Sequence, residues 1–323
     1  MLEPLLTLIL VLVLTPLFIR VGFKLGLTGV DLHKLEKPII PKTGGLAIIV
    51  GVAVAVVLYG FLGGDPVLVL AFLLPLLAAG LIGFVEDVRG EINPKLKPLL
   101  LIIPGAFLLV LGAYVPRPVL PFIGGTRLYR IYPVMVLAAY PVVCNAVNSL
   151  DVLNGSMAFT SLPFFMVSSI IAYLRGDGFI LTMSLVMLAA LLSFLFYNNY
   201  PSRVFAGNSG SLAVGASMAS IAIIGRIEVA AIIALLPHIM NEMHVIFSIG
   251  GLKSAKTLRS RPIEIVGEML TASKDRDAPI TLTRMITAGV RAGERDVVKA
   301  LAILTIFTAV LALLTDLLLV EAW

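Results

Sequence analysis

Pro66-Val-Leu-Val-Leu-Ala-Phe-Leu-Leu-Pro75-Leu-Leu-Ala-Ala-Gly80-Leu-Ile-Gly83-Phe84-Val85-Glu86-Asp87 opens as a run of apolar residues and ends on two adjacent carboxylates. A helix of that length crosses the ~30 Å hydrocarbon layer of a bilayer, and its polar end then sits at the interface. The same pattern recurs along the chain. Hydrophobic residues make up 59% and charged residues 13% of 323, with a mean hydropathy of +1.05, which excludes an ordinary soluble domain. The expected fold class is all-α integral membrane, about ten transmembrane helices in one polytopic domain spanning residues 1–323.

Expected spans lie near 2–22, 44–63, 66–84, 98–115, 131–147, 157–174, 179–197, 210–225, 228–249 and 300–320. The first opens on Glu3 and lacks a small-residue cleavage site, so it reads as a retained helix rather than a signal peptide. With ten spans the alternate loops on one side carry 19 of the 24 Lys and Arg. The positive-inside rule makes that face cytoplasmic, with both termini outside in a cell membrane. The net charge of +5 therefore reflects membrane asymmetry, and no nucleic-acid partner is expected. The loop at 250–299 mixes charge with short apolar runs, which suggests a small folded cytoplasmic insert before the last helix. Cys144 stands alone, so no intramolecular disulfide forms.

Five polar clusters fall in the basic loops. The first runs Asp31-Leu-His33-Lys34 and on to Lys42-Thr-Gly44-Gly45, and on its own it also fits a basic anchor. Next, Glu86-Asp87 with Lys95 and Lys97 suits a Mg²⁺ and phosphate site, although adjacent acids are common at solvated helix ends. In the third, Asn145, Asn148 and Asp151 recur at a spacing of three and so share a helix face, with Asn154-Gly155 able to turn the chain. Two amides and an acid offer hydrogen bonds to a uridine or sugar and oxygens to a hard cation. The fourth, Gly207-Asn208-Ser209-Gly210-Ser211, opens a helix and suits an anion, or serves as a capped turn. Lys253, Lys256, Arg259 and Arg261 form the fifth, suited to a diphosphate or to anionic lipid. Within the ninth span, His238 and Glu242 are four apart and able to pair.

In this order the clusters resemble the polyprenyl-phosphate N-acetylhexosamine-1-phosphate transferases, glycosyltransferase family 4. Glu86-Asp87 matches the family's acidic pair, Lys97 or Lys95 its following lysine, Asn145 to Gly155 its Asn-rich stretch, and Gly207 to Ser211 its Gly-Asp-Thr-Gly-Ser loop. Pro237-His238-Ile-Met-Asn241, Leu258-Arg259-Ser-Arg261-Pro262 and the Pro279 to Arg295 loop look like the dolichol branch, and the short chain looks archaeal. The resemblance implies transfer of a sugar-1-phosphate, GlcNAc-1-phosphate foremost, from a UDP-sugar to polyprenyl or dolichyl phosphate with release of UMP. It implies Mg²⁺, with Mn²⁺ as a substitute, held by Asn154, Asn208 and Asp151. Catalytic roles fall to Glu86, Asp87, Lys95, Lys97 and Asp151, and substrate binding to Lys34, Asn145, Asn148, Gly155, Arg259 and Arg261. A homodimer is a further expectation.

Two positions depart from the pattern. Glu86 stands where the acidic pair usually begins with Asp, and Asn208 replaces the loop aspartate, offering a neutral oxygen where a charged one is expected. The alternatives are a transporter or flippase, or a relative with altered metal use or lost activity.

Overall fold

The computed structural model describes residues 2–120, 123–253, 258 and 260–320. Helix α1 (Leu2–Leu25) leads through a small hairpin, β1 (Thr28–Val30) with β2 (Ile39–Pro41), into α2 (Gly44–Phe61) and α3 (Pro66–Arg89). Asp65 caps α3 by accepting from the Val67 amide at 2.8 Å, with Pro66 pre-set at the first helical position. Short helices α4 (Leu96–Leu100) and α5 (Ile102–Val110) follow, then a two-residue hairpin, β3 (Val119–Leu120) with β4 (Gly124–Gly125). The chain continues as α6 (Tyr132–Leu150), α7 (Ser156–Arg175), α8 (Gly178–Asn198) and α9 (Gly207–Ile224). After α10 (Glu228–Ala234) and α11 (Leu236–Ser248) come the β5 (Ile263–Val266) and β6 (Met269–Ala272) hairpin, α12 (Leu282–Ile286) and α13 (Glu294–Val320).

Among the described residues eight helices are long and apolar enough to span a membrane, and α10 with α11 makes a ninth if the bent pair is one span. The expected count of ten is not reached on length alone, because at the fourth stretch, where the chain passes from the end of α3 to the start of α6, α4 and α5 together cover only 96–110. Pro104 cannot donate to the Leu100 carbonyl and its ring crowds that carbonyl, so the helix breaks at Leu101. The ninth stretch bends by 63° between Ala234 and Leu236, beside Pro237. His238 would normally donate to the Ala234 carbonyl in a straight helix, and Thr308 of α13 donates to it instead at 3.2 Å.

Helix α9 is the axle of the bundle, every residue from Ser209 to Ile223 being buried. Glycines let its neighbours touch its backbone. A Cβ on Gly45 would stand 2.2 Å from the Gly210 nitrogen, one on Gly83 2.3 Å from the Asn208 carbonyl oxygen, and one on Gly215 2.6 Å from the Cys144 Cα. Close approach of this kind concentrates dispersion contact where burial from water provides no drive between helices. Gly44 and Gly45 also donate to the Phe205 and Ala206 carbonyls at 3.0 and 2.9 Å, which stitches the start of α2 to the loop before α9.

Helix directions place one set of ends together. The C-terminal ends of α3, α6 and α11 meet the N-terminal ends of α2, α7, α9 and α13 at the same end of the bundle. At the other end Arg175 of α7 pairs with Asp316 of α13 at 2.5 Å, and α1 runs parallel to α8, with Ser193 and Tyr197 donating to the Leu8 and Leu12 carbonyls at 3.1 and 2.9 Å. Both described chain ends thus lie opposite the clustered polar residues. The segment before α13 folds around Ile263, Leu270, Val297 and Val298, which pack on Leu153 of the α6–α7 turn. The last helix begins at Glu294, so residues 294–299, expected in the insert, belong to it.

Candidate functional site

A buried knot ties together four segments that are remote in sequence. The Asn154 side chain donates to Asp31 at 3.0 Å, while its oxygen accepts from Lys34 at 2.8 Å and from the Ser202 amide at 2.7 Å. Lys34 also pairs with Asp31 and lies 3.8 Å from Glu294, which accepts from the Asn154 amide at 2.7 Å. Burial pushes the Asp31 carboxyl up, but the bonds from Lys34 and Asn154 outweigh it and hold it below the usual carboxylate range. Asn154 and Lys34, expected at metal and substrate, are thus occupied in holding the loops together. Gly155 turns the chain into α7 at a φ of +80°, and a Cβ there would stand 3.1 Å from the Phe159 ring.

Beside the knot lies a cavity of about 260 Å³ walled by Asp31, His33, Lys42, Asp87, Asn148, Asp151 and Asn208. Asp87 reaches from the end of α3 and accepts from the Asn208 and Ser209 amides, both at 2.9 Å, so one carboxylate caps the N-terminus of α9 across the helix interface. Asn148 accepts from Ser211 at 2.8 Å. The Asp151 carboxylate makes no hydrogen bond among the described residues, and burial together with the Asp87 charge pushes its carboxyl up to about 7. Burial, with the charges of Arg261 and Lys34, holds the His33 imidazole below its usual range against the pull of Asp31.

The Asp151 shift has a stability consequence whose sign is fixed. The folded chain keeps this proton up to about pH 7, whereas the unfolded chain releases it near 3.8, so stability falls as pH rises between those values. Asp151→Asn removes the penalty. In EDTA, its thermal midpoint is expected to exceed that of the parent at pH 8 and to match it at pH 4, and equal midpoints at both values would contradict the placement of Asp151.

A second cavity of about 230 Å³ adjoins the first, with Asn148 in both walls, and holds Glu86, Lys97, Asn145, Glu242 and the exposed Lys253. Lys97 and Glu86 are both buried and pair at 2.8 Å. Lys95, the other candidate, is exposed and lines neither cavity. Asn145 donates to the Pro141 carbonyl at 2.8 Å. His238 bonds Thr160 at 3.1 Å rather than pairing with Glu242, which is left to line the cavity. From here an almost wholly apolar groove of about 550 Å³ runs between α4–α5, α6 and α11, sharing Pro98, Asn145, Glu242, Ile246 and Leu252 with the polar cavity.

Arg261 is exposed and near enough to His33 for their charges to interact, while Arg259 and Lys256 lie outside the described residues. Lys42, Asp31, His33 and Glu294 gained no role from sequence reasoning; the signals present were the Asp31-x-x-Lys34 spacing and the position of Lys42 just before Gly44-Gly45. Among the described residues no group of three or more His, Cys, Asp and Glu converges to hold a metal ion. The oxygen donors Asp151, Asn148 and Asn208 fit a hard cation whose shell is completed by ligand oxygens.

These features define a multi-pass helical membrane protein with two joined polar cavities at one bundle end and an apolar groove leading out of them. Residues 69–226 match the family model of glycosyl transferase family 4, a stretch that carries Glu86, Asp87, Lys97, Asn145, Asn148, Asp151 and Asn208. The match supports membership of that transferase family and, in general terms, transfer of a sugar phosphate to a polyprenyl phosphate.

Proposed function

We propose that the chain transfers GlcNAc-1-phosphate from UDP-GlcNAc to dolichyl or a related polyprenyl phosphate, releasing UMP, at the cytoplasmic face of a cell membrane. The observation that carries this reading is the pair of polar cavities meeting at Asn148, one of them continuing into an apolar groove. A nucleotide sugar and a lipid phosphate need such neighbouring but distinct sites. The dolichol-like stretches Pro237 to Asn241 and Pro279 to Arg295 support the choice of sugar and acceptor.

In this reading the diphosphate lies against Lys42, Asn148 and Asn208, with Arg261 at the outer rim. The lipid phosphate lies beside Lys97, its chain along the groove. A lipid phosphate oxygen attacks the β-phosphorus, the new P–O bond forms as the bond to the UMP oxygen breaks, and UMP leaves with that electron pair. Catalysis is then mainly positioning and charge neutralisation. Glu86 and Asp87 are engaged by Lys97 and the α9 amides, so the acid–base role passes to Asp151, which walls the first cavity and whose carboxylate makes no hydrogen bond among the described residues. Asp151, Asn148 and Asn208 would hold Mg²⁺ or Mn²⁺, which when bound neutralises phosphate charge.

Polar groups gathered at one end, rather than at the midplane, favour an enzyme over a transporter. Purified chain incubated with UDP-GlcNAc, Mg²⁺ and dolichyl phosphate is expected to give UMP and a lipid heavier by one GlcNAc-1-phosphate in equal amounts. Absence of both products with every UDP-sugar offered overturns the reading.

A further inference from the structure

Asn154, whose bonding partner Asp31 walls the first cavity, itself lines a separate groove of about 480 Å³ between the loop after α8 and the start of α13. The groove changes character along one face of α13. Arg295 and Lys299, four apart, stand at its charged end, and Val298, Ala302 and Ile303 lie at spacings of three, seven and eight from Arg295. At 1.5 Å per residue the lining passes from guanidinium to aliphatic within about 12 Å. That is far enough to cross a headgroup layer about 5–8 Å thick and enter the hydrocarbon.

The cations here lack strong partners. Arg295 lies 4.8 Å from the Tyr200 ring centre and donates to the Tyr200 carbonyl at 3.1 Å, but it meets no carboxylate among the described residues. Lys299 has only Asp296 at 3.4 Å, with both side chains about two-thirds exposed, a pair that contributes little in water. No carboxylate lines the groove. Its lower end is open to the side of the bundle, Ile303 being 67% exposed.

We propose that this groove binds an anionic phospholipid, its phosphate against Arg295 and Lys299 and a chain along Phe159, Ala302 and Ile303. Free phosphate has no use for the apolar end, and a neutral lipid has no use for two cations without acids. The site shares no wall with either polar cavity, so it stands independently of the proposed transfer reaction. Binding to the folded chain alone raises its thermal midpoint.

The full chain in neutral detergent is titrated with phosphatidylglycerol, phosphatidylcholine or inorganic phosphate, and the midpoint of thermal unfolding is read. Phosphatidylglycerol is expected to raise it saturably by several degrees, the other two to leave it in place. R295A/K299A should lose at least half of that rise. Ile303→Trp, which fills the groove from an exposed position and keeps both cations, should lose it too and carries the test if the double variant fails to fold. An undiminished rise in either folded variant, or an equal rise with phosphatidylcholine or phosphate, overturns the assignment.

Discussion

Lys97→Met is expected to lower lipid-linked product formation by at least about 10²-fold, while Lys95→Met stays near the parent rate. The contrast follows from placement: Lys97 is buried at the mouth of the apolar groove, 2.8 Å from Glu86, and Lys95 faces solvent. Removing one partner of a buried pair also strands the other charge, which costs about 3–5 kcal/mol. Stability and chemistry are separated by the double variant E86Q/K97M, in which neither charge remains. It is expected to recover most of the lost thermal stability and none of the activity, whereas recovery of both would reduce Lys97 to a structural role.

Gly83→Ala should be among the most damaging single methyls in the chain. The new Cβ would stand 2.3 Å from the Asn208 carbonyl oxygen and 2.5 Å from the Ser209 nitrogen. Backbone cannot swing aside as a side chain does, so α3 and α9 must separate, with a loss of about 3 kcal/mol or more. Separation also draws Asp87 from the two amides it caps. Detergent-solubilised Gly83→Ala should unfold well below the parent, and Gly60→Ala, where the nearest atoms stand at 3.5 Å, should not. Equal midpoints for the two variants would refute the tight α3–α9 contact.

The long helices were legible because about twenty consecutive apolar residues leave few other structures in lipid. The α4–α5 stretch misled for a physical reason: hydropathy averages over Pro104, while the helix depends on the particular amide hydrogen it lacks. Site composition was legible too, since acids and amides at the ends of apolar runs are costly without a partner, as Glu86, Asp87 and Asp151 illustrate. Pairing was not. Lys34 and Asn154 are 120 positions apart, Asn154 and Glu294 140, and a sequence reports what an amide is able to hold without reporting what already fills it. Asn154, expected at a metal, bonds Asp31, Lys34 and Ser202 here, whereas Lys42, quoted without a role, faces the cavity.

Asn148 stands in the walls of both polar cavities. If the first fills from water and the second through the apolar groove from the bilayer, their occupancies answer to different measures of abundance. One follows molecules per litre, the other molecules per lipid in the plane. A single side chain then marks the boundary between a three-dimensional and a two-dimensional supply, and diluting the membrane with inert lipid starves one side of that boundary without touching the other.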